Sequence, residues 1–397
     1  FYYNGTLNTW TKVTQGSGAG QINSTGSDTS ANPVNFAFVL AWKKRLLFLE
    51  RGTSKMWFLP VDQVAGEVKP FLFGSLLSHG GVLSQMATWT LDAGTGIDDH
   101  LVLLGTMGDV LVYTGTDPGD AAAFANKGTW YLAAPPAGRR AMTQYGGEVL
   151  VLSAIGVTPM SALVQGAGQD KGDIAIKIRP LLARHFAAYG DQYGWGLTHY
   201  AKQNLLLANS PPGNIDSRQY VLSLNFAAWS WFTGIPALCM ETFNGDLYAG
   251  LADGRVALVL YDDLDEMERD HTAGRAIVSK LIGSFQHYDQ PALVKQFHMI
   301  RPVLDAKLKP QASLWMNTDY RINESRASPA FRPLNVSQWD QDKWNSARWA
   351  GSHVPYNDWF SVEGLGRVGA YGLAMSSIAG VRLYQLDIMY ETTSKAF

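Results

Sequence analysis

Six acids crowd residues 262–270: Asp262, Asp263, Asp265, Glu266, Glu268 and Asp270. Carboxylates at that density suit calcium, which gathers oxygen ligands around a sharp glycine turn. The next glycine, Gly274, comes too late for the helix-loop-helix pattern, so the stretch reads as a solvated linker. The eight histidines, from His79 to His353, form no HExxH, no pair at helical spacing and no neighbourhood with cysteine, which argues against zinc. There is no GxSxG elbow and no GxxxxGK[ST] loop, and the glycine-rich "GSGAG" (16–20) lacks the lysine and following helix of a phosphate loop. No nucleophile, base and orienting partner come together. Sequence reasoning therefore assigns no catalytic residue, cofactor or metal ligand and reads the chain as not an enzyme.

Two groups of residues are of the types that contact polymers. In "SQWDQDKWNSARWA" (337–350), Trp339, Trp344 and Trp349 recur at intervals of five among charged and amide side chains. They are either a stacking platform for a sugar or nucleic acid or a set of structural anchors. An interval of five alternates faces in a strand and rotates each ring off the previous one in a helix. One ordered aromatic face does not result, and anchoring in turns is the preferred reading. The second group is Lys43, Lys44 and Arg45 with Arg139 and Arg140, candidates for a local basic patch toward nucleic acid, with turn solvation as the ordinary alternative.

The elements that must position these residues show in composition first. Hydrophobic residues make up 46% and charged residues 17%, with 40 Gly, 13 Trp, 17 Tyr and 17 Phe, a β-rich balance because aromatics suit pleated surfaces and glycine suits tight turns. Formal net charge is −2 without a long basic run, so the chain lacks the overall footprint of a phosphate-gripping protein. Cys239 is the sole cysteine, which excludes an intrachain disulfide and fits assembly in a reducing cytoplasm. No apolar stretch reaches bilayer length, and no signal peptide is read. The opening "FYYNGTLNTW" looks like the middle of a β element, and an upstream segment is expected.

An anchor, a short polar turn and an apolar run recur: Trp42 "KKR" then "LLFL", Ile97 "DDH" then "LVLL", Tyr145 "GGE" then "VLVL", Tyr200 "AKQN" then "LLLA", Phe243 "NGD" then "LYAG". The anchors lie 55, 48, 55 and 43 residues apart. Each apolar run leads through a turn to a second strand-like run. A period of roughly 40–50 residues with two hairpins is the pattern of a β-propeller blade, against an irregular sandwich with coincidental spacing. The fold class is therefore all-β, with propeller blades over 1–270, a C-terminal sandwich-like β region over 271–397 that could also complete the propeller or form a platform, and one short inserted helix. That helix is expected in "KIRPLLARHFAAYG" (177–190), with Pro180 in its first turn, a stripe of Leu181, Leu182, Phe186 and Tyr189, and Gly190 at its end. The stripe is read as local core rather than a contact face. In "VRLYQLDIMYET", strict alternation puts Val381, Leu383, Gln385, Asp387 and Met389 on one face and Arg382, Tyr384, Leu386, Ile388 and Tyr390 on the other.

Residues 78–120, 128–164 and 219–256, with the Trp-rich "WDQDKWNSARWA", resemble the propeller-forming tail nozzle proteins of short-tailed bacteriophages, also termed tail hub or packaged-DNA stabilisation proteins. The resemblance covers most of the chain through a diffuse pattern. It implies a virion protein assembled in the host cytoplasm as a homo-hexameric ring below the head-to-tail connector, or adaptor, with tail fibre or needle proteins as further partners. Viral DNA would pass along the ring axis without sequence-specific binding, and low net charge agrees with sliding rather than gripping. The resemblance supplies no catalytic or ligand residues. The alternative is a carbohydrate-binding or glycan-cleaving propeller, such as a receptor-binding tail protein, needing exposed Trp platforms and, for cleavage, two facing carboxylates. A nucleic-acid-binding channel built on aromatic stacking is the third reading.

Overall fold

Apolar runs flanked by turns can bury both faces only if another sheet covers each side, and the computed structural model shows that solution in the first part of the chain. It describes residues 1–4, 9–26, 28–92, 97–166, 172–213, 217–261, 264–265, 275–323 and 354–392. The protein is all-β in character, and its contacts divide it into Phe1–Val259 and Leu260–Phe397, whereas the sequence reading places the division at 270/271.

In Phe1–Val259, five antiparallel meanders follow one another, each paired strand to strand in chain order. The first comprises Phe36–Trp42, Arg45–Glu50, Lys55–Phe58 and Lys69–Leu72. Leu83–Asp92, Ile97–Gly105, Asp109–Gly115 and Phe124–Tyr131 make the second, and Met142–Tyr145, Glu148–Ser153 and Gly156–Pro159 the third. The fourth is Gly196–Tyr200, Leu205–Asn209, Gln219–Ser223 and Ala228–Phe232, and the fifth Ala237–Phe243, Asp246–Leu251 and Val256–Val259.

Turn chemistry sets the register of these hairpins. Trp42 pairs with Arg45 across Lys43 and Lys44, whose φ values of 46° and 61° are left-handed at both positions, the backbone of a primed two-residue turn. Asn244 and Gly245 repeat it between Phe243 and Asp246. The recurring anchor and polar turn are thus the end of a first strand and its hairpin. Ile97 departs from that rule: it opens the second strand opposite Asp92, and its "DDH" lies within the strand.

Middle strands feed the cores on both sides. Leu101, Leu103 and Leu111 pack with Leu47, Leu49 and Met56 of the first meander, while Val102, Leu104, Val110 and Val112 pack with Val149 and Val151 of the third. Leu150 and Leu152 then meet Leu206 and Ala208 of the fourth. On the other face of the first meander, Phe48, Trp57 and Leu59 are covered by Ile22, Ala31 and Val68; Ile22 belongs to a small parallel sheet of Thr14–Gln15, Gln21–Asn23 and Gly66–Glu67, and Val68 directly follows its last strand. The expected helix spans Arg179–Tyr189, with Leu182 buried in the core between the third and fourth meanders and Phe186 packed against it. It is local core, as its stripe suggested. A second helix, Met160–Val164, follows the third meander.

Leu260–Phe397 is built differently. Lys295–Ala306 pairs along one edge with Val354–Tyr356 and Phe360–Gly366 and along the other with Val381–Thr392. A second antiparallel sheet runs Leu264–Asp265, Arg275–Ile282, Gly369–Ser377, Gln311–Thr318. Phe297, Ile300 and Val362 from one sheet share a core with Leu314, Met316 and Leu373 from the other. The strict alternation read for 381–392 fails, because the register skips Tyr384 between Leu383 and Gln385. That bulge reverses the faces after it, so Leu383, Leu386, Ile388 and Tyr390 all pack toward the core. Lys295 is fully buried. Its ammonium donates to the carbonyls of Gln290 at 2.5 Å, Leu293 at 3.1 Å and Arg367 at 3.0 Å, and burial holds it below the ordinary lysine range.

Candidate functional site

The first strands of all five meanders line one cavity of about 1870 Å³, with Phe1, Val13, Ile22, Pro33 and Val64 of the N-terminal layer completing the wall. From the second meander to the fifth, polar side chains tie each first strand to the next. Gln85 donates to the Met142 carbonyl at 3.1 Å and accepts from its N–H at 2.9 Å, and Gln144 donates to the Thr88 carbonyl at 2.7 Å. The third and fourth meanders are joined by the His199 N–H donating to Thr143 Oγ1 at 3.2 Å, and the fourth and fifth by Thr198 donating to the Met240 carbonyl at 3.2 Å. These ties pair beginnings with beginnings and ends with ends, so the first strands run the same way and the cavity has a strand-start rim and a strand-end rim.

The rims differ in charge. Arg51, Arg139 and Arg140 line the cavity near the strand starts, whereas Lys202, Glu241 and Asp246 line it near the strand ends. There Lys202 and Asp246 neutralise each other at 2.8 Å. Burial, the larger influence, pushes the His199 imidazole below its ordinary value against hydrogen bonds from Asn204 and the Gln144 backbone.

The five basic residues read from the sequence are not one patch. Lys43 meets Asp99 at 3.4 Å and Arg45 meets Asp117 at 2.7 Å, which leaves that turn largely neutralised at the strand-end side. Arg139 and Arg140 stand at the opposite rim. Their companion there, Arg51, was not singled out in the sequence; its signal was the following Gly52, whose φ of 72° makes a tight turn. Trp339, Trp344 and Trp349 lie outside the described residues, as do all the acids of 262–270 except Asp265.

One arrangement has the look of catalytic machinery. His79 Nδ1 lies 2.7 Å from Asp109 Oδ1, its backbone N–H donates to Oδ2 at 2.9 Å, and its ring stacks on Tyr131 at 3.7 Å. Asp109 is buried. Among the described residues no hydroxyl or thiol is bonded to that imidazole, and the two bonds to Asp109 pin the chain entering the second meander. Among the described residues no group of three or more His, Cys, Asp or Glu side chains is placed to hold a metal ion, and no helix is long and apolar enough to cross a membrane.

The fold and site together define an all-β protein of consecutive antiparallel meanders walling one cavity. No protein-family model matches the chain, and no curated protein matches it.

Proposed function

We propose that the chain is a structural virion protein, the nozzle or hub subunit of a short phage tail, in which six copies form a ring through which the genome is retained and then ejected. In this reading the five meanders are blades of a β-propeller, and Leu260–Phe397 is a platform-like β region. The observation that carries it is the wall of five first strands around one cavity, in the stretch that holds the phage-like segments 78–120, 128–164 and 219–256. Sheets whose middle strands serve two cores at once make a stiff subunit, since each interface is packed like a protein interior. A ring of such subunits is closed by a heterologous interface repeated by rotation. With net charge −2, its lumen would let DNA slide without a large counterion-release affinity. Assembly takes place in the host cytoplasm on the head-to-tail connector, and the finished ring receives tail fibre or needle proteins.

Negative-stain imaging of the full-length protein, alone and mixed with a connector ring of a short-tailed phage, tests this reading. The expected result is a sixfold ring, formed alone or on the connector. A monomer that ignores the connector and binds host glycans would contradict it and favour a lectin or glycosidase propeller.

A further inference from the structure

We infer that the strand-start rim of the N-terminal cavity is a binding site for phosphoanions, held by Arg51, Arg139 and Arg140. Arg51 and Arg139 line both the large cavity and an adjoining one of about 700 Å³, so two separate loops deliver guanidiniums to one place. The smaller volume falls within the roughly 300–1,000 Å³ of small-ligand sites. Elsewhere in this unit Arg45, Arg179 and Arg255 are ion-paired and Arg218 lies over the Trp231 ring at 5.5 Å. Arg51, Arg139 and Arg140 have no ion pair among the described residues. Asp191 is the sole carboxylate among the residues lining the smaller cavity, and against it stand the guanidiniums of Arg51 and Arg139, with Arg140 beside them on the large cavity, which leaves the rim cationic.

The backbone that carries these arginines is fixed. The Ala137 N–H donates to the Leu152 carbonyl at 3.0 Å and the Leu152 N–H to the Ala141 carbonyl at 2.7 Å, which clamps both ends of the loop; the Arg140 carbonyl accepts from Leu197 at 2.8 Å. Gly138 has φ 73°, and a Cβ there would meet Trp195 Cβ and O at 3.0 Å, so the loop is pressed against the fourth meander. The Arg51 N–H donates to the Asn35 carbonyl at 2.8 Å. Fixed loops lose little freedom when a ligand arrives. Guanidinium forks match tetrahedral phosphate oxygens, and three of them from two directions suit an anion bearing several charges better than a lone carboxylate. Free oligophosphate and the backbone of a nucleic-acid strand share that chemistry. The site stands whether or not the chain forms a ring.

Isothermal titration of the full chain at low salt, with inorganic tripolyphosphate in one arm and a short single-stranded oligodeoxynucleotide in the other, tests the site. At least one is expected to bind, with R139A/R140A weakening it roughly tenfold or more. R51A, on the other loop, is expected to weaken it similarly and covers the case in which the double variant folds poorly. R184A, at an exposed arginine outside both cavities, is expected to leave binding unchanged. Tighter binding of tripolyphosphate points to a free oligophosphate, and tighter binding of the oligonucleotide to a strand backbone. No binding in either arm, or equal binding by wild type, R139A/R140A and R51A, would overturn the inference.

Discussion

The two units bury their apolar residues by opposite routes. In Phe1–Val259 every meander pairs only with itself and then packs on its neighbour in chain order. In Leu260–Phe397 the longest pairing joins Lys295–Ala306 to Val381–Thr392, with Arg301 ion-paired to Asp387 across 86 positions. Local pairing closes short loops at low entropic cost, whereas distant pairing orders much chain before any contact rewards it. The first unit is therefore a row of semi-independent pieces whose stability sums over neighbours, and the second stands or falls on one central strand.

The largest expected effect compares equivalent cavities in the two units. Phe297→Ala removes a buried ring from the strand that three others pair with, and about 3–5 kcal/mol of stability should go with it. Hydrogen exchange should then report lost protection across both C-terminal sheets. Trp57→Ala removes a fully buried indole that donates to Glu50 at similar cost, yet protection should fall only in the first meander and its N-terminal cover. Equal loss in the fifth meander would break the nearest-neighbour account.

A smaller effect sharpens the account of the joints between meanders. Gln85→Leu leaves the Met142 N–H and carbonyl without their partners, and a penalty of about 1–3 kcal/mol is expected in urea melts. A neutral result would mean that the Gln85 hydrogen bonds add nothing to the joint between the second and third meanders, which Gln144 and apolar packing would then hold.

The smallest is a pH effect at the N-terminal cover. The hydrogen bond from Lys55, aided by Ser30, draws the Asp28 carboxyl down to about 2. A depressed carboxylate contributes stability that is complete above its unfolded value near ~3.9 and is lost as pH falls toward 2. The contribution is expected to stay below about 1 kcal/mol at this partly exposed pair, and Lys55→Met should flatten the profile between those values. An unchanged profile would show that the acid dependence arises elsewhere.

The same contrast explains what the sequence revealed. The meanders were legible because their information is local: "KKR" and "NGD" are turn chemistry at fixed positions, and "LVLL" and "VLVL" are runs buried on both faces. The C-terminal partners were not legible, because nothing near Lys295 names a strand some ninety residues on and one skipped residue at Tyr384 reverses a face. At the cavity, the doublet Arg139–Arg140 could be read, but identical evidence promoted Lys43, Lys44 and Arg45, which Asp99 and Asp117 largely neutralise. Arg51, alone in its turn, joins the rim only through folding.

The propeller reading depends on the first and fifth meanders lining one cavity. Cys239, the sole cysteine, lines that cavity from the fifth, and Val39 lines it from the first. Spin labels on Cys239 and on Val39→Cys, measured by pulsed dipolar spectroscopy in the full-length chain, test that directly. A single short, narrow distance is the expected result. A broad or long distribution would contradict a cavity walled by all five first strands, and the propeller with it.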